Sequence, residues 1–130
     1  MVFLSLFFIG GFGYNLIEIL WRGYTHVSMF FAGGICFNAF SFIGKKFNNL
    51  SKTTLCLLGA AAVTTVEFIV GCIVNLWLKK RVWDYSSQPF NIAGQICPSF
   101  SFVWGILSFI FIPLSLKVRR AFNKLYNCNN

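Results

Sequence analysis

Two carboxylates placed inside apolar runs are the residues of this chain best suited to chemistry. Glu18 and Glu67 are two of only three acidic residues in 130. An ionisable group at membrane depth costs roughly 2.5–3.5 kcal/mol to insert, so such groups face a protein interior, a partner or a solute path. Glu18 lies one helical turn before Arg22, and an ordinary i to i+4 ion pair accounts for it as well as function does. Glu67 has no Lys or Arg within two turns, so no local pair offsets its desolvation. A carboxyl group in that setting can exchange a proton or bind a cation.

The polar neighbours recur at helical spacing. Gly11, Asn15, Glu18 and Arg22 fall on one stripe, as do Thr64, Glu67, Gly71 and Asn75. A small residue beside amide and carboxyl groups is what a helix needs to face another helix or a wet crevice, while the remaining Leu, Ile, Val and Phe suit lipid. The candidate transport or binding set is therefore Glu67 with Glu18, Asn15, Asn75, Thr64 and Arg22.

The elements that carry these stripes follow from composition. At 57% hydrophobic and 11% charged, the chain has too little polar surface to coat a soluble globule. Crossing a hydrocarbon core takes about 20 helical residues, and four runs suffice: 2–21, 25–44, 55–78 and 96–116. The expected fold is all-α, a polytopic four-helix transmembrane bundle in a single domain. A polar and aromatic loop covers 79–95, and a basic tail covers 117–130. The first run has no basic leader and no small-residue cleavage site, so it reads as a retained helix. Lys45, Lys46, Lys52, Lys117, Arg119, Arg120 and Lys124 fall on one side, and Arg22, Lys79, Lys80 and Arg81 on the other. That bias puts both termini in the cytoplasm of a cell-membrane protein. The net charge of +8 comes from short clusters between apolar runs, which fits lipid headgroups rather than nucleic acid.

Other residues have plainer readings. Cys36, Cys56, Cys72, Cys97 and Cys128 show no CxxC spacing, and His26 is the single histidine, so neither a metal site nor a disulfide framework is expected. The long loop holds Trp83, Asp84, Tyr85, Ser86, Asn91 and Gln95. Its aromatics read as an interfacial belt, Asp84 as a partner of Arg81 or Arg22 or as a turn residue, and Asn91 as a cap for the last helix. The same residues could form a lid or a docking surface. AGGICFNAFSF (32–42) resembles AGQICPSFSF (93–102), which would make the chain two duplicated hairpins with Glu18 and Glu67 equivalent.

IEILWRGYTHVSMF, VEFIVGCIVNLWL, WDYSSQPFNIAGQIC and FSFVWG together resemble the small bacterial membrane proteins grouped as the putative ABC-transporter type IV family, over residues 7 to 109. The resemblance marks Glu18, Arg22, Gly33, Glu67, Gly71, Trp83, Asp84, Tyr85, Ser86, Asn91, Gly94 and Cys97, and it implies a permease-like role. Two departures stand out. A Pro- and Tyr-rich segment of longer relatives is FFAGGICF here, and an Arg of the NxxGRIC string is Gln95. No GxxxxGKS string is present, so any ATPase would be a separate subunit, and no cofactor is expected. A chain this short implies a homodimer or larger oligomer for any transport path. The preferred reading is a permease or channel-like subunit moving a cation, proton or small polar solute. The alternative is a non-transporting subunit that docks a partner through the WDYS loop. An enzyme acting on lipid ranks last, for want of a nucleophile, metal site or His partner.

Overall fold

The computed structural model describes residues 1–128. Four helices, each long and apolar enough to cross a bilayer, make up a transmembrane bundle. They are α1 (Val2–Arg22), α2 (Val27–Lys46), α3 (Lys52–Gly71) and α4 (Pro98–Cys128), with a π-helical turn, Cys72–Trp77, continuing α3. Met1, Cys128 and the α2–α3 turn lie at one end, called here the terminal end; the 79–97 connection lies at the other, the loop end.

The helix limits depart from the expected runs for identifiable reasons. Helix α2 starts at Val27 rather than 25 because His26 is its N-cap, its ring nitrogen accepting the Ser28 N–H at 3.2 Å. Ser51 caps α3 in the same way through the Thr54 N–H, moving its start from 55 back to Lys52. Helix α4 begins at Pro98, a residue suited to a first turn that needs no N–H donor, and runs to Cys128 instead of ending near 116. The basic segment from Lys117 is thus a helical continuation; there Arg119 bonds the Ser41 hydroxyl at 3.2 Å and the Tyr126 and Ser5 hydroxyls meet at 3.0 Å. Asn129 and Asn130, the end of the expected tail, lie outside the described residues.

The four-residue connection Gly23–His26 makes α1 and α2 antiparallel neighbours, with Gly23 taking the left-handed conformation (φ 82°) that closes α1. Gly10 and Gly33 oppose each other where the helices cross: a Cβ built on Gly10 would stand 2.6 Å from the Gly33 carbonyl oxygen, and one on Gly33 would stand 2.7 Å from the Gly10 carbonyl oxygen. Backbone contact of this kind is how small residues join membrane helices. Gly33→Leu should therefore lower the thermal midpoint in detergent, an overpacking cost of about 1–3 kcal/mol. Gly13→Leu should not, because a Cβ there meets nothing within 4 Å.

Helix α2 is the most enclosed element. Its Cys36, Phe37, Phe40 and Ile43 join Leu6, Val63 and Ile112 in the main core, and the Phe40 and Phe111 rings stack at 6.2 Å. Gly59 lets α3 approach Ser108 of α4, 2.7 Å from a built Cβ to the Ser108 Cβ. The two similar strings adopt different backbones. Residues 32–42 lie wholly inside α2, whereas 93–97 form a turn with Gly94 at φ 70° before α4 begins. Proline at position 98, where α2 has Phe37, stops the second string from extending a helix backwards.

Candidate functional site

The stripe on α3 faces α4 and the loop. From the middle of the helix outward, the Thr64 and Ser101 hydroxyls meet at 2.8 Å, Glu67 follows one turn later, and then come Gly71 and Asn75. At about 1.5 Å per residue, Thr64 to Asn75 covers about 16 Å, roughly half a hydrocarbon core of about 30 Å. Toward the terminal end the same seam is closed by Gly59, Ser108 and Phe40 in close contact, with the Ser108 hydroxyl spent on the Trp104 carbonyl at 2.7 Å. The polar side chains of the column continue from Thr64 toward the loop end, where Gln95 and Trp83 cover them.

Glu67 is 5% exposed. The Trp104 indole N–H is directed at its carboxyl group, yet that buried nitrogen completes no hydrogen bond of full geometry. Glu18, Tyr14, Tyr85 and Cys36 lie within electrostatic reach of Glu67, and the Tyr14 and Trp104 rings pack at 6.1 Å. All four helices and the loop thus contribute to its surroundings. Among the described residues the one ion pair is Glu18–Arg22, so no cationic side chain neutralises Glu67. A cavity of about 150 Å³ at the loop end is lined by Phe90, Ile92, Ile96, Cys97, Pro98 and Ser101.

Asn15, Glu18 and Arg22 share no hydrogen bond with Glu67, though Glu18 lies within electrostatic reach of it. They form a second cluster at the loop end of α1. Arg22 donates to Glu18 at 2.9 Å, and the Thr25 hydroxyl lies 3.0 Å from Glu18 and 3.1 Å from Asn15, able to donate to one of them at a time. The reason is the tight α1–α2 turn, which returns Thr25 onto the last turn of α1. Arg22 also donates to the Val82 carbonyl at 3.1 Å and lies 4.8 Å from the Tyr24 ring centre. The Val82 N–H in turn donates to Asn75 at 2.7 Å. Val82 of the loop thereby links the two clusters.

The loop is tied down from within. Asn75 donates to the Gln95 side-chain oxygen at 2.7 Å, Gln95 donates to the Ala93 carbonyl at 2.9 Å, and the Trp83 indole donates to the Gln95 carbonyl at 3.0 Å. Trp83 and Gln95 are buried and hold the loop from beneath. The π-helical turn makes this possible: with Leu78 bonding back five residues to Ile73 at 2.9 Å, it ends α3 and leaves Asn75 under the loop. Gly71 leaves room, since a Cβ there would stand 2.6 Å from the Gln95 side-chain oxygen.

Asn91 does not cap α4, whose first residue lies seven positions on. It donates to the Ser86 and Gln88 carbonyls at 3.2 and 2.8 Å and accepts the Gly94 N–H at 3.0 Å, stapling the loop to itself. Asp84 is the turn residue: the Ser86 N–H reaches it at 2.8 Å, whereas Arg22 is engaged by Glu18. Hydrogen bonds from the Ser86 side chain and backbone hold the exposed Asp84 carboxyl below its usual value of 3.8. Stability from such a depressed group is fully present above the ordinary value and is lost as pH falls through the lower, folded value. Hydrogen exchange at Ser86 should accordingly stay slow on acidification to pH 3.8 and quicken only below it, and Asp84→Asn should remove that step. Tyr85 stacks on Phe100 at 4.6 Å, and burial, followed by the Glu67 charge, pushes its hydroxyl above the ordinary tyrosine range.

Trp104, Tyr14, Ser101 and Thr25 went unmarked in the sequence. Trp104 stands in the FSFVWG string, but only packing shows that it meets Glu67. The cysteines are all unpaired, with Cys36 and Cys97 buried.

Residues 2–128 match the family model described as Putative ABC-transporter type IV. No curated protein and no solved structure matches the chain.

Proposed function

The chain belongs to the Putative ABC-transporter type IV family, and from that premise we propose that it is a permease-like membrane subunit whose Glu67 binds and passes on a cation, a proton or a small polar solute entering from the loop end. The observation that carries this reading is a carboxyl group 5% exposed, without a cationic partner among the described residues, one turn from the inner end of a polar column. A group so costly to bury, with so little local compensation, fits an exchangeable ligand better than a structural tie. Because the column stops halfway, passage needs either a rearrangement of the α3–α4 seam or a second copy completing the path. A homodimer or larger assembly, with an ATPase on a separate subunit, supplies both possibilities. The charge bias supports termini in the cytoplasm and the loop outside.

Reconstitution tests this directly. Wild-type proteoliposomes should pass protons, monovalent cations or a small polar solute above empty vesicles, and Glu67→Gln should return the flux to that of empty vesicles. One observation favours a second reading, a non-transporting docking subunit: Phe90 is 89% exposed at the crest of a loop that is hydrogen-bonded beneath it. In that case Glu67→Gln is silent and Phe90→Ser abolishes partner capture.

A further inference from the structure

At the terminal end a groove of about 270 Å³ opens between α2, α3 and α4. Leu55, Ile112, Pro113 and Leu116 give it apolar walls, and Asn48 and Lys52 stand at its rim. It is elongated along α4, since Ser108 and Leu116 both line it. Eight helical residues at about 1.5 Å each separate those two by about 12 Å. Lys52 is the first residue of α3, at the boundary between the helical span and the turn, and its Nζ lies 5.7 Å from the Phe109 ring centre. Among the described residues it has no acidic partner, because the only ion pair is Arg22–Glu18. All three acids of the chain, Glu18, Glu67 and Asp84, belong to the middle or the loop end.

We propose that this groove is a specific site for one anionic phospholipid, with an acyl chain along the α4 wall and the phosphate on Lys52. The charge pattern selects the occupant. A zwitterionic lipid brings its own cation to a surface that already carries Lys45, Lys46 and Lys52, whereas an anionic headgroup completes the one charge the groove leaves open. A free anion would leave the apolar walls uncovered. The site is independent of the Glu67 column, which lies toward the opposite end.

Native mass spectrometry of the detergent-purified protein, titrated with phosphatidylglycerol or phosphatidylcholine of identical acyl chains, decides the matter. Wild type should retain phosphatidylglycerol in preference. Lys52→Gln should weaken that retention about tenfold, the loss of one charge-assisted contact, and Lys52→Arg should keep it. Cys56→Phe should fill the groove and weaken retention of phosphatidylglycerol with all charges unchanged. Lys124→Gln, on the exposed part of α4, should have no effect. Equal retention of the two lipids, an equal loss in Lys124→Gln, or wild-type retention in a folded Cys56→Phe each overturns the proposal; should Cys56→Phe not fold, the Lys52 pair against Lys124→Gln decides alone.

Discussion

Glu67→Met should leave proteoliposomes no more permeable than empty vesicles while holding the thermal midpoint at or above that of wild type. The two halves of this result have one cause. A buried carboxyl whose facing donor, the Trp104 indole N–H, completes no hydrogen bond contributes little to the fold, and replacing a poorly satisfied polar group by an apolar one of similar shape is near neutral or stabilising. Sites kept for function at a cost in stability behave in this way. If Glu67 were a structural tie, the same substitution would lower stability by about 1–3 kcal/mol of lost hydrogen bonding. Thermal unfolding followed by tryptophan fluorescence, on the vesicle-tested protein, separates the two.

Asn75→Ala should have the largest destabilising effect of any single polar substitution. Its side chain accepts from Val82 at 2.7 Å and donates to Gln95 at 2.7 Å, both inside the protein. Truncation strands the Val82 N–H and the Gln95 oxygen together. At about 1–3 kcal/mol for each stranded buried group, the loss is about 2–6 kcal/mol, concentrated in the loop. Hydrogen exchange should accelerate at Val82 and Trp83 while amides of the α1–α2 crossing keep their protection. Uniform acceleration over all four helices would mean that the loop is not a separate tie but part of one cooperative unit.

Much of this was legible in the sequence. Length and hydropathy gave four spans because a bilayer admits few alternatives for runs of that kind, and the spacing of Thr64, Glu67, Gly71 and Asn75 placed them on one face because a single helix enforces it. Spacing says nothing of which neighbour that face meets. Trp104, whose indole N–H is directed at Glu67, stands 37 positions away, and the close α3–α4 seam below Thr64 depends on Gly59 meeting Ser108. Asn15 and Glu18 meet the Thr25 hydroxyl rather than hydrogen-bonding Glu67, because a four-residue turn brings Thr25 onto them. The loop was the least legible element. Its shape rests on a π-helical turn and on Lys79, Arg81, Phe90 and Ala93 at positive φ, conformations that these residue types do not announce.

On the proposed function, Glu67 communicates with one side of the membrane, through the loop end. A membrane-impermeant, water-soluble carbodiimide applied to oriented vesicles, with the labelled peptides identified by mass spectrometry, tests it, and exposed Asp84 reports which vesicles present the loop. Labelling of Glu67 together with Asp84 from the loop side, and of neither from the terminal side, is the predicted result. Labelling of Glu67 from the terminal side, or none from either side in a folded protein, would contradict it.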